Sequence, residues 1–446
     1  MEKKYDLTEG VIWKKLLFFL LPIFGGTLFQ QFYTTIDAVI IGQFAGKDAL
    51  ASIEAILNLT KLPINFFIGI SVGATIIIAQ YIGAKETEKL SRAVHTAVAF
   101  AFTGGIIISA IGILGSPVFL RLLNVPDDIY AYTLSYARIY FAGMAVSMTY
   151  NIGTGILRAA GDSKTPFYFL IASSIANVLL DLIFVGLFKW HTAGAALATV
   201  LSQLLSAVLV ITALLRTPMP CRITLKKIRF HKPVLGEIFL LGLPAGFQSS
   251  SYSIANMIIQ SSINTFGVNR IAAWAVCGKL DFLIWVTVDS FGAAISTFVA
   301  QNFGARLYGR ARSGVISCLG MSLVIIVIIS AILYLFCPSL SRMFVNDHEV
   351  ITLAVSLIRF ISPSYFLYIW GVILSGAIRG TGDTLKPMAL TFLGTCACRI
   401  LWILFAAPLW PTLKMVILSF PVSWFITSAS FIVFYQIHKV QKLPVK

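Results

Sequence analysis

The chain has 446 residues, of which 58% are hydrophobic and only 12% charged. Soluble chains run nearer about 25% charged, so this composition excludes a water-soluble globular protein and leaves an integral membrane one. The formal net charge of +16 would suit a nucleic-acid partner, but its placement along the chain serves membrane orientation instead, and no nucleic acid is expected.

The opening MEKKYDLTEGVIWKKLL is charged and runs into a full-length span with no small-residue cleavage site, so no cleaved leader is expected. Apolar runs long enough to cross a bilayer, roughly 20 residues, are predicted at 13–42, 50–82, 93–115, 127–157, 166–188, 194–215, 234–264, 271–301, 313–337, 349–378, 387–408 and 415–437. That is an all-α membrane protein with twelve transmembrane helices. With the N-terminus inside, the inner segments hold 23 Lys/Arg and the outer ones six. This asymmetry sets both termini in the cytoplasm of a multi-pass cell-membrane protein. The basic belt then lies against anionic headgroups, which makes membrane lipids a partner.

The first span carries the most telling residues. Pro22 sits in its inner half and removes a backbone hydrogen bond, which makes a bend plausible there. Asp37 lies near its outer end. A carboxylate inside a span costs roughly 2.5–3.5 kcal/mol on insertion scales and marks a functional site by default. Gln30, Gln31 and Tyr33 share that helix and are candidates to line a cavity. Glu54, Asn58 and Lys61 fall near one face of the second span, where a Glu54/Lys61 pair is expected.

An internal repeat at an offset of 221 residues organises the rest. Gly46 pairs with Gly267, Ala79-Gln80 with Ala300-Gln301, and ILRAAGDSKTP (156–166) with AIRGTGDTLKP (377–387). The chain therefore divides into an N-lobe at 1–215, a basic linker at 216–233 and a C-lobe at 234–446. Each lobe is a six-helix bundle, and an even number of spans makes the two bundles parallel repeats. Such carriers place the substrate between the halves and rock them. Arg-x-x-Gly-Asp reads chiefly as a helix end: Gly for positive φ, Asp as a cap, Pro to start the next helix. A gate built on Arg158 and Arg379 is the alternative.

The halves differ in their acids. Asp37 has no acidic counterpart in 249–260, and Asn177 and Asp181 in SSIANVLLDLIFVG (173–186) align with Cys398 and Trp402. Asp37, Asp181 and Thr199 lie roughly 7–11 Å from the outer ends of their helices, with Asn177 one turn below Asp181 on the same face. This oxygen-rich set suits an exchangeable proton or a hard cation such as Na+. Two carboxylates in a dry pocket cannot both stay charged without a cation. Cation entry should therefore shift the first helix and expel a substrate. Each residue also has a plainer role available: Asp37 snorkelling to the interface, Asp181 bonding a neighbouring helix, Asn177 and Thr199 gluing helices together. In the second half, Asp281 next to Lys279 suggests an internal salt bridge. Asp289 is placed to face a cavity. Arg399 needs an acid partner or a place lining the cavity. The six cysteines show no metal spacing and read as buried thiols.

The ordered set LPIF…QQFYTTIDAVIIG, AQYIGAK, ILRAAGDSKTP, SSIANVLLDLIFVG and HTAGAALATVLSQ resembles the multidrug and toxic compound extrusion (MATE) family, and most of all its prokaryotic DNA-damage-inducible (DinF-like) branch. The resemblance implies antiport: H+ or Na+ inward against an organic, often cationic and aromatic compound outward. In that branch the cation site matches Asp37, Asn177, Asp181 and Thr199. Polar cavity neighbours match Tyr33, Tyr136 and Asn151, and the bending proline matches Pro22. The other bacterial branch carries an acid in the seventh helix, where this chain has Ser249-Ser250-Ser251. The expectation is thus a monomeric, non-enzymatic, cofactor-free antiporter of small organic molecules. A flippase for lipid-linked precursors is the alternative; an ATP-driven pump is excluded by the missing G-x-x-x-x-G-K-[ST] loop.

Overall fold

In the computed structural model, residues 6–123 and 125–437 are described, apart from most side chains between 47 and 63. Glu54, Asn58 and Lys61 lie outside the described residues. The described residues form twelve long helical rods whose ends fall within a few residues of the apolar runs. We label them α1 (Ile12–Phe44), α2 (Lys47–Gly83), α3 (Thr87–Leu122), α4 (127–159), α5 (Lys164–Leu187), α6 (His191–Arg216), α7 (Lys232–Asn264), α8 (Val268–Gly304), α9 (Tyr308–Arg342), α10 (His348–Gly380), α11 (Leu385–Leu409) and α12 (Leu413–Ile437). Ten are long and apolar enough to cross a membrane. The other two, α4 and α7, are diluted by polar residues such as Arg138 and Ser249–Ser251.

The repeat holds in backbone detail. Gly46 and Gly267 have φ of 86° and 91°, and Gly161 and Gly382 have φ of 87° and 93°. At both Gly-Asp corners this left-handed conformation turns the chain, where a Cβ would strain it. The acid then caps the next helix: Asp162 accepts from the Lys164 and Thr165 amides (3.1 and 3.0 Å), and Asp383 from the Lys386 amide (3.2 Å). α4 breaks at Gly143, and α10 breaks through a tight turn at Ser362–Ser364, one repeat later. α5 widens into a π-helical turn at Leu182–Leu187, and α11 does the same at Trp402–Ala406, again one repeat on.

The chain packs as two compact units, and their boundaries fall inside helices. One holds Leu21–Gly246; the other holds Leu7–Leu20 and the chain from Phe247 on. The N-terminal ends of α1 and α7 thus belong to the other repeat's unit, with Pro22 and Pro244 beside the two crossovers. In the first unit α2 and α7 approach backbone to backbone. A Cβ on Gly69 would meet Gly246 at 2.2 Å, and one on Gly73 would meet the Gly242 amide at 2.6 Å. These are facing Gly-x-x-x-Gly pairs, which allow membrane helices to cross closely. Gly25 and Gly26 seat α1 against Phe167 and Leu170 of α5, and Phe29 meets Phe167 edge-on at 6.1 Å.

Candidate functional site

The glycine contact between α1 and α5 brings their acids together. The Asp37 and Asp181 carboxyls face each other as close neighbours. Asp181 and Asn177 are wholly buried, at 0% and 1% exposure. Among the described residues, no partner reaches Asp37 Oδ1, either Asp181 oxygen, or either polar atom of the Asn177 amide. Buried polar atoms are nearly always bonded, so five orphans around two facing carboxylates need a ligand. A proton shared between the carboxylates, or a small cation between them, satisfies this demand. No His, Cys or third acid joins the pair among the described residues. An all-oxygen set with one amide fits a proton or a hard monovalent cation better than a transition metal.

The surroundings are ordered by aromatic rings. Tyr136 of α4, 7% exposed, stacks on Tyr140 at 5.7 Å and 15°. Its phenol acts electrostatically on both acids and on Tyr33. Tyr33 in turn interacts with Asp37 and Tyr150 and bonds Gln30. Beyond the acids, Ile40, Ile41, Val185, Ala195 and Ala196 close the pocket in one apolar cluster that includes Tyr136. This apolar cluster at the ends of α1 and α5 and the start of α6 keeps the local dielectric low and raises the stakes of any charge there.

Two predicted members donate within their own helices. The Thr199 hydroxyl donates to the Ala195 carbonyl of its own helix (3.0 Å), not to either acid. The Asn151 amide donates to the Ser147 carbonyl (2.9 Å). The sequence reading missed Tyr140 and Tyr150. Tyr140 was findable, since it lies one turn from Tyr136 on the same face.

The second unit holds a different polar cluster. Asp289 lies beside Tyr368 and in the field of Arg379, and Tyr252 lies between this group and Arg399 electrostatically. Arg399 is 2% exposed. Of the two alternatives, an acid partner is not found among the described residues: Nε donates to Ser423 Oγ (2.9 Å), a terminal nitrogen donates to Asn256 Oδ1 (3.1 Å), and the guanidinium lies 4.3 Å from the Phe420 ring centroid. Two hydrogen bonds and a ring face replace a counter-ion. The Asp281–Lys279 salt bridge is likewise corrected. Asp281 accepts from the Tyr365 hydroxyl, and Lys279 sits over the Phe344 ring at 5.3 Å. Lysine is long enough to turn away, and a buried carboxyl is served more cheaply by a fixed phenol than by a second desolvated charge.

Among the described residues, two repeated bundles of long apolar helices, with a facing acid pair in the first, have the architecture of a two-repeat membrane protein. The chain belongs to the MATE family: the MatE family model matches residues 22–183 and 244–404, once in each repeat. It is 29% identical over 387 residues to a probable multidrug resistance protein, YoeA, of Bacillus subtilis, covering 85% of this chain and 84% of that one. It also superposes on solved MATE structures in a bent conformation (TM-score 0.92, 21% identity, 99% of each chain) and in a straight conformation (TM-score 0.89, 21% identity, 99% of this chain and 100% of that one).

Proposed function

We propose that the protein exports small organic compounds across the cell membrane, driven by inward flow of H+ or Na+ through the acid pair of the first unit. The observation that carries this reading is the two facing carboxylates with no donor between them. A cation there relieves their repulsion, and its loss restores it. Asp37 lies on α1, which passes from one unit to the other beside Pro22. The charge state of the pair therefore acts on the helix best placed to bend. Alternating access is part of this proposal, with Tyr33, Gln30, Tyr136 and Asn151 as substrate contacts of the first unit and Asp289 and Arg399 as a separate candidate set in the second. Asn177 and Thr199 complete the cation's oxygen set. The drug-resistance name of the Bacillus relative supports organic compounds as substrates. The excess of Lys/Arg on one side supports a cytoplasmic linker and cytoplasmic termini.

A flippase for lipid-linked precursors would need several cations free to meet phosphates. Arg399 is already bonded to Asn256 and Ser423, which favours export of organic compounds. The test is efflux of a fluorescent organic cation from everted vesicles under separately imposed pH and Na+ gradients. Stimulation by either gradient supports the proposal; stimulation by neither overturns it.

A further inference from the structure

Each unit binds an extended lead-in segment by its backbone, and the two clasps use different chemistry. In the second unit Leu7 is held by groups that do not titrate near neutrality. Its amide donates to Gln301 Oε1 (3.2 Å), and its carbonyl accepts from Asn302 Nδ2 (3.3 Å) and from the Arg310 guanidinium (3.3 Å). In the first unit the corresponding stretch is the linker, and two histidines hold it. The Thr224 amide donates to His95 Nε2 (2.9 Å), while His95 Nδ1 bonds the Ser91 carbonyl (2.6 Å). His95 is 1% exposed. Only the neutral ring with its proton on Nδ1 can make both bonds. The His231 amide donates to Thr96 Oγ1 (3.2 Å), its ring Nδ1 lies 3.1 Å from the same oxygen, and its Nε2 accepts from Arg229 Nε (3.2 Å).

We propose that this linker clasp is a pH-sensitive latch, closed when His95 and His231 are neutral and released when the compartment it faces turns acid. A proton on His95 Nε2 would point at the Thr224 amide, donor against donor. A proton on His231 Nε2 would point at the Arg229 guanidinium. The charged groups acting on His231 are Arg229 from the linker and Arg92 from α3, with titratable His95 beside them. No acid is among them, and Glu88 is taken up by Arg92. Burial first, and then these cations, hold His231 below the usual histidine range. The sign follows. His231 is held below its free value in the closed latch, so protons bind the released form better and the closed form weakens as pH falls below about 6.5. The repeat supplies an internal control, because the Leu7 clasp has no group that titrates in this range.

The test is hydrogen exchange read by mass spectrometry on the full-length protein in lipid nanodiscs, corrected for intrinsic exchange rates, at about pH 7.5 and about pH 5.5. Peptides spanning 221–233 should lose up to about tenfold in protection at the lower pH, while those spanning 6–12 keep theirs. His95→Gln keeps an acceptor but cannot charge, and should flatten the response; His231→Gln, on the more open ring, serves as the second variant. Unchanged linker protection, equal loss in both segments, or a full pH response in both variants overturns the proposal.

Discussion

Replacing Asp181 with Asn removes one charge from the pair and leaves its shape. Two carboxylates about 4 Å apart at an effective dielectric constant of about 20 repel by about 4 kcal/mol. At about 1.4 kcal/mol per decade, that is nearly a thousandfold in affinity for the cation that separates them. Wild-type protein should therefore bind its coupling ion tightly and change shape with it, whereas the variant should lose both. Two assays read this. In everted vesicles, gradient-driven efflux of a fluorescent organic cation should fall at least about a hundredfold in Asp181→Asn and in Asp37→Asn. In detergent, thermal unfolding of the wild type should respond to added Na+ or to acidification, and both variants should be indifferent. Wild-type efflux by both variants would refute the reasoning. So would an unchanged thermal response in either, since each acid alone would then be dispensable to ion binding.

Other outcomes follow from the same packing. Gly69→Leu sets a side chain where Gly246 stands 2.2 Å from a Cβ; overpacking of this kind costs about 1–3 kcal/mol or more, so folded yield and melting temperature should drop, while Gly236→Ala, with nothing within 4 Å, should be neutral. Asn256→Leu strips Arg399 of a hydrogen bond worth about 1.5–3 kcal/mol to a charged group, and should lower the melting temperature measurably even though Asn256 itself is exposed. Pro22→Ala restores a backbone donor inside α1 and should raise thermal stability while slowing efflux, by about 3 kcal/mol of lost helix-breaking at most; efflux at the wild-type rate would remove Pro22 from the mechanism.

The apolar runs and the offset of 221 gave away the fold because both express forces that act on every residue: span length is set by lipid thickness, and a repeat must satisfy the same packing twice. Asp37 and Asp181 were legible for a related reason, since an acid in a span has few excuses. What stayed hidden depended on three dimensions. The π-helical turn after Asp181 leaves no mark in composition, though its recurrence at Trp402–Ala406 shows it belongs to the scaffold rather than to the acids. The crossing of α2 and α7 was written as Gly69-x-x-x-Gly73 and Gly242-x-x-x-Gly246, but nothing in the sequence says the two faces meet. Arg399 found Asn256, Ser423 and Phe420, groups far apart in the chain, where charge counting looked for an acid. The assignment of the N-terminal ends of α1 and α7 to opposite units cuts helices in their middles, where sequence offers no boundary signal beyond Pro22 and Pro244.

The most direct test of the account is a count of ions released when substrate binds. Purified protein in weakly buffered, Na+-containing detergent is mixed with a saturating organic cation, and proton and Na+ release are recorded together. The account predicts release of about one monovalent cation per chain from the wild type and none from the Asp37→Asn, Asp181→Asn double variant. No release from the wild type, or equal release from the double variant, would contradict it.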